Sequence, residues 1–201
     1  MKWFLKLGSY LFHPLWIPLF GSLYYIFISP RYIAQTTIKA QLLAITIVTI
    51  IIPIIYFFML KNMGLANSIF LRTAKERRLP HFFYLILLLL LMNVILDKID
   101  VPELYYFFAG ILMASFTNLI LAMLNVKVSL HMVGISGITL FIIALSIHFN
   151  LNLLYSIAFL LFANGWTASS RLESQAHNYT ELILGFFIGI VPQLILLKFW
   201  L

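Results

Sequence analysis

Seven stretches of the chain are apolar almost without a break: approximately Ser9 to Ser29, Gln41 to Leu60, His81 to Leu96, Leu104 to Leu124, His131 to Phe149, Leu151 to Ala168 and Glu181 to Leu201. A helix needs about 17–25 mostly apolar residues to cross the hydrocarbon of a bilayer. The pattern therefore predicts an all-α, polytopic transmembrane bundle of about six to seven spans. The runs lack the in-and-out alternation of a barrel wall, so strands are not expected. The third stretch is short. The fifth and sixth are separated only by Asn150 and should form a tight helical hairpin. Pro53 and Pro192 fall inside spans and are expected to kink them. No linker, repeat or low-complexity segment interrupts the pattern, so residues 1–201 read as one integral membrane domain.

The polar positions are concentrated where the apolar runs stop. With seven crossings, the connections 61–80, 125–130 and 169–180 emerge on one face, and each leads into the start of a helix. Helix N-termini carry partial positive charge and unpaired N–H groups, so three of them together make a cradle for an anion. The first connection contains LRTAKERRLP, which crowds Arg72, Lys75, Arg77 and Arg78 beside Pro80. Such a cluster either grips lipid headgroups or captures a phosphate through guanidinium forks. The second, KVSLHMVGISG, brings Ser129 and His131 to a helix start, followed by the small residues Gly134, Ser136 and Gly137 of a close packing face.

The third connection, SRLESQAHNYTEL, is the sharpest. Ser170, Ser174, His177 and Glu181 follow spacings of four, three and four, and share one helical face if the seventh helix begins early. Glu181 can then accept a hydrogen bond from the His177 ring, fix its tautomer and leave the other nitrogen free to react. Arg171 lies where an incoming anion would meet it. The bland alternative is a solvated helix cap.

Composition agrees with the pattern and narrows the chemistry. Hydrophobic residues make up 63% and charged residues 9% of the chain, and the mean hydropathy is +1.04. There is no cysteine, which excludes disulfides and thiolate metal sites. No metal or other cofactor is expected. The net charge of +7 sits in short loops between apolar runs, which points to a membrane surface or an anionic ligand rather than nucleic acid. Lys2 and Lys6 precede an apolar run, but Pro14 and Pro18 interrupt it and no small-residue cleavage site follows; it reads as a retained span. Asp97, Asp100 and Glu103 surround a turn on the opposite face and read as a solvated hairpin with Lys98 as a partner, in preference to a cation site. Asn93, Ser115, Thr117, Asn118 and Gln193 read as interhelical hydrogen-bonding positions, and Gly185 with Gly189 as a helix-packing pair, within the bundle or between subunits. His13 and His148 have no charged neighbour in sequence.

The third connection resembles a known signature. SRLESQAHNYTE has the form S-R-x5-H-x3-E and is similar to the S-R-x5-H-x3-D signature of the type 2 phosphatidic acid phosphatase superfamily. VSLH, residues 128–131, is similar to its P-S-G-H signature, and RRLP, residues 77–80, to the R-P end of its K-x6-R-P signature. The resemblance covers roughly residues 75–189, within a phosphatase-like core of about 61–201, with 9–60 as N-terminal addition. It implies a metal-independent lipid phosphatase working through a phosphohistidine. His177 would be the nucleophile, Glu181 its orienting carboxylate and His131 the general acid. Arg171, Arg78 and Arg77 would bind the phosphoryl oxygens with help from Ser129. Glu181 stands where the signature has aspartate, Leu130 where it has glycine and Val128 where it has proline. No lysine precedes Arg78 by seven positions: Leu71 does.

Three functions compete on this reading. The first is a phosphatase or pyrophosphatase for phospholipid or isoprenyl phosphate. The second is a catalytically inactive relative that binds anionic lipid or serves as a subunit of a membrane complex or homo-oligomer. The third, a transporter, ranks last because few ionisable residues lie in mid-span. Nine basic residues fall on the motif side and four on the other, but five of the nine belong to the anion cluster, and without them the sides are equal. Charge therefore leaves orientation open, and the resemblance implies the extracytoplasmic side of a bacterial inner membrane.

Overall fold

The computed structural model describes residues 2–65 and 73–201; Arg72 lies outside them. In chain order the helices are α1 (Lys2–Leu11), α2 (Ile17–Ile28), α3 (Gln35–Thr46), a π-helical stretch (Ile47–Ile51), α4 (Ile52–Asn62), α5 (Ala74–Val94), α6 (Pro102–Met123), α7 (Leu130–His148), α8 (Leu154–Glu173) and α9 (Tyr179–Leu196), with a closing 3-10 turn, Leu197–Phe199. Among the described residues there is no strand. Among the described residues, five segments are long and apolar enough to cross a membrane: Gln35–Asn62, α5, α6, α7 and Tyr179–Phe199. The chain is an integral membrane protein built as a helical bundle.

Local chemistry sets the boundaries. Thr73 caps α5 by accepting a hydrogen bond from the Glu76 backbone N–H at 3.3 Å, the arrangement that a Thr-x-x-Glu sequence favours. The third apolar stretch therefore starts as a helix at Ala74, seven residues before its first span residue, and Arg77 and Arg78 ride on a helix rather than in a loop. Asn178 caps α9 in the same manner. At the other ends, α6, α7 and α8 each close on a residue with positive φ: Asn125, Asn150 and Gln175. The N–H groups of Val126, Leu151 and Ala176 then reach back to Leu121, Ser146 and Arg171, the Schellman closure that satisfies terminal carbonyls. Asn150 does join α7 to α8 by a tight hairpin. Ahead of Pro53, which lacks an N–H for the helical ladder, the chain takes the wide π turn at 47–51.

The first apolar run is not one helix. It breaks at residues 12–16, around Pro14, into α1 and α2. The first helix exposes Trp3 and Tyr10 and is fastened to α8: Phe4 stacks on Trp166 with centroids 4.4 Å apart, and the indole N–H donates to the Phe4 carbonyl at 3.0 Å.

At the heart of the bundle α7 packs tightly on α9. Gly185 and Gly189 permit this: a Cβ on Gly185 would lie 2.6 Å from the Ser129 carbonyl oxygen, and one on Gly189 would overlap Ser136 and the Val133 carbonyl. The small-residue pair is thus a packing face inside the bundle. Ser136 Oγ donates to the Phe186 carbonyl across the same seam at 3.0 Å. Phe107 of α6 stacks on Phe141 of α7 at 4.3 Å, and both are fully buried. Phe27, Ile55, Phe82, Phe116, Phe162 and Phe187 point outward, as apolar side chains facing lipid do.

The face opposite the motifs holds a charged knot that sequence spacing does not reveal. Glu103 is 0% exposed, not solvated as expected. It accepts two hydrogen bonds from the Arg31 guanidinium, at 2.6 and 3.0 Å, one from the Tyr25 hydroxyl at 2.9 Å and one from His148 Nε2 at 2.9 Å. His148, without a charged neighbour in sequence, has one in space. Asp97 keeps its expected place, folding its side chain over the backbone of the turn at Ile99 and Asp100.

Candidate functional site

The starts of α5, α7 and α9 meet on one face and are tied together by backbone. Arg77 Nη1 donates to the Val128 carbonyl at 2.6 Å, the Ser129 N–H to the Glu181 carbonyl at 3.1 Å, and Lys127 Nζ to the Ala176 carbonyl at 2.7 Å. Each connection thus fixes the next.

His177 precedes the Asn178 cap of α9. It is not on a helix shared with Ser170 and Ser174, because α8 runs late, through Glu173, and α9 begins only at Tyr179. The cap turn nevertheless brings His177 Nδ1 to 2.5 Å from Glu181 Oε2. A carboxylate accepts, so Nδ1 carries the hydrogen and Nε2 keeps its lone pair. Burial, with the positive charges of Lys127, Arg77 and Arg171 nearby, pushes the His177 pKa down to about 3. The ring is therefore neutral and nucleophilic at ordinary pH.

Arg171, in the last turn of α8, donates from Nη1 to Ser9 Oγ at 3.3 Å, while its buried Nε has no partner among the described residues. His131, in the first turn of α7, lies 3.1 Å from the Ser9 carbonyl oxygen through Nε2. A carbonyl only accepts, so Nε2 holds the hydrogen and Nδ1 the lone pair. The ring of His13 stands edge-on to it, centroids 5.2 Å apart; the Leu15 N–H donates to its Nδ1 at 3.3 Å.

Arg77, His131, Arg171 and His177 line one cavity of about 630 Å³, together with His13 and His81. Beyond these groups it continues between apolar walls, including Phe57, Phe83 and Ile138, with Asn118 set among them. On the other side of His177, Lys127 and Glu181 line a smaller recess, and burial lowers the Lys127 pKa while Glu181 raises it.

Other expected ligands sit elsewhere. Arg78 turns away and caps the end of α6, donating to the carbonyls of Ala122 and Met123 and to Asn125 Oδ1. Lys75 is exposed on α5 and does not line the cavity. Ser170 Oγ pairs with Ser9 Oγ at 2.5 Å. Ser129 is fully buried and its Oγ has no partner among the described residues. Ser174 folds back on the Arg171 carbonyl. Of the mid-span polar groups, Gln193 does bond between helices, to the Phe107 carbonyl at 3.0 Å, whereas Asn93 and Thr117 bond within their own helices.

Sequence reasoning missed Ser9, His13, His81 and Lys127. His81 had a signal, since it stands four residues after Arg77 on one helix face. The others arrive by long-range contact alone. Among the described residues, no group of three or more His, Asp or Glu side chains is placed to hold a metal ion.

Chemically, the cavity offers a neutral imidazole nitrogen oriented by a carboxylate, two guanidinium groups and a second imidazole. No protein-family model matches this chain, and comparison with curated proteins and with solved structures finds no significant match.

Proposed function

We propose that this protein is a membrane lipid-phosphate phosphatase that works through a phosphohistidine. The supporting observation is the cavity lined jointly by Arg77, His131, Arg171 and His177. His177 Nε2 attacks phosphorus as the bond from phosphorus to the lipid oxygen breaks. Glu181 accepts Nδ1–H throughout and balances the positive charge that develops on the phosphorylated ring. Arg77 and Arg171 stabilise the equatorial oxygens. His131, held at Nε2 by the Ser9 carbonyl, takes the proton of an incoming phosphate monoanion at its unprotonated Nδ1 and passes it to the departing lipid oxygen. Neutral again, it takes a proton from the water that cleaves the phosphohistidine. The products are a lipid alcohol and phosphate.

Glu181 in place of aspartate is compatible with this scheme, because its carboxylate reaches the His177 ring. The resemblance to the type 2 phosphatidic acid phosphatases supports the same roles. We take the chain to cross the membrane seven times, counting α8 and the run from His13 to Arg31 with the five long apolar segments. We place the site on the extracytoplasmic side of a bacterial inner membrane.

The test is phosphate release by purified protein from phosphatidate, phosphatidylglycerol phosphate, isoprenyl pyrophosphate and lipid A. Release that His177→Ala abolishes supports the assignment; release unchanged in that variant refutes it. One observation favours a second reading, a non-catalytic binder of anionic lipid: the N–H of His131 is already given to Ser9. Tight lipid binding with no turnover by the wild type would select it.

A further inference from the structure

The cavity does not become purely apolar below the cations. His81 follows Arg77 by one turn of α5, about 6 Å along the axis, and faces the same space. Asn118 of α6, which packs beside α5, faces it too. Asn118 is 5% exposed, and its Oδ1 has no hydrogen-bond partner among the described residues. A buried amide oxygen without a protein partner needs one from a ligand or a water. The imidazole, which offers one N–H and one lone pair, thus stands one turn beyond Arg77, and the amide acceptor lines the same cavity.

Resting on the phosphatase reading, we propose that His81 and Asn118 form a polar subsite that selects lipid phosphates bearing a hydrogen-bond donor, a hydroxyl or amide N–H, close to the phosphate ester. A second phosphate fits poorly, because Asn118 supplies no charge to offset a buried anion. A bare isoprenyl chain fits poorly as well, because hydrocarbon would displace water from both groups and return no hydrogen bond. Sites built to bond a substrate hydroxyl reject the analogue that lacks it far more strongly than apolar walls reject a methylene.

The experiment compares kcat/KM of the full-length protein for 1-acyl-glycerol 3-phosphate and for its 2-deoxy analogue, which differ only in the hydroxyl. Ceramide 1-phosphate tests the amide source. The wild type should prefer the hydroxylated lipid by about tenfold or more. Asn118→Leu should bring that ratio close to one while turnover of the deoxy lipid stays level or rises, which also shows that the variant is folded. His81→Phe should lower the ratio in the same direction. A wild-type ratio near one with brisk turnover of both lipids, or a ratio untouched in Asn118→Leu, overturns the subsite and leaves the phosphatase assignment standing. No release from any lipid by the wild type sinks the phosphatase assignment, and the subsite with it.

Discussion

Replacing Gly185 by alanine tests whether the seam between α7 and α9 sets the geometry of the site. The new Cβ would lie 2.6 Å from the Ser129 carbonyl oxygen and 3.0 Å from Met132 Cβ, whereas ordinary contact begins at 3.4 Å. The first obstacle is backbone, so the helices must part by about 0.8 Å at the level where the Ser129 N–H meets the Glu181 carbonyl. His131 rides on one helix and Glu181, which orients His177, on the other. A misplacement near 1 Å can cost about a hundredfold in rate, so kcat should drop roughly 30- to 100-fold. Overpacking of this kind also costs about 1–3 kcal/mol, against about 0.5–1 kcal/mol gained from the better helix former, so the melting temperature in detergent should fall by a few degrees. Gly165→Ala is the control: nothing lies within 4 Å of its Cβ, and both quantities should hold or improve slightly. Wild-type turnover and melting in Gly185→Ala would refute the reasoning.

Other expectations come from the same contacts. Glu103→Gln removes the charge that Arg31 and His148 share. A broken buried pair costs about 3–5 kcal/mol, and since Arg31 is 39% exposed and can regain water, a loss of about 2–3 kcal/mol in denaturant titration is expected. Arg171→Lys keeps the charge but loses the fork; KM for any hydrolysed lipid phosphate should rise at least severalfold with little change in melting temperature. Because the native His177 pKa is held near 3, below its usual 6.5, the unfolded chain binds a proton first as pH falls. The neutral ring's contribution to stability is complete above pH 6.5 and is lost progressively towards 3, so melting temperatures measured across that range should fall less steeply in His177→Asn than in the wild type. An equal slope would show that the ring is not held neutral.

Much of the bundle is legible in the apolar runs because hydrocarbon punishes any unpaired backbone group, leaving continuous helices as the economical solution. The His177–Glu181 pair is equally legible, since four residues at the start of a helix bring two side chains together whatever lies around them. Helix ends were less so: the Thr73–Glu76 cap is written in the chain, yet it competes with the hydropathy signal, which begins only at His81. Arg77 and Arg78 show the limit most clearly. They are identical neighbours in sequence, but on a helix they point about 100° apart, so one faces the cavity and the other an exposed helix end. Ser9, His13 and the partners of Glu103 come from distant parts of the chain and carry no local signature.

The Glu103 knot also bears on how α7 can move. His148 ends α7 at that knot while His131 sits at its opposite tip, so 19 residues, about 28 Å of rigid rod, separate a charge-clamped foot from a glycine-lined head. A tilt of only about 3° about the clamped foot swings the head by about 1.5 Å. Any swing of α7 would therefore be least at the end held by Glu103 and largest at the end that carries His131.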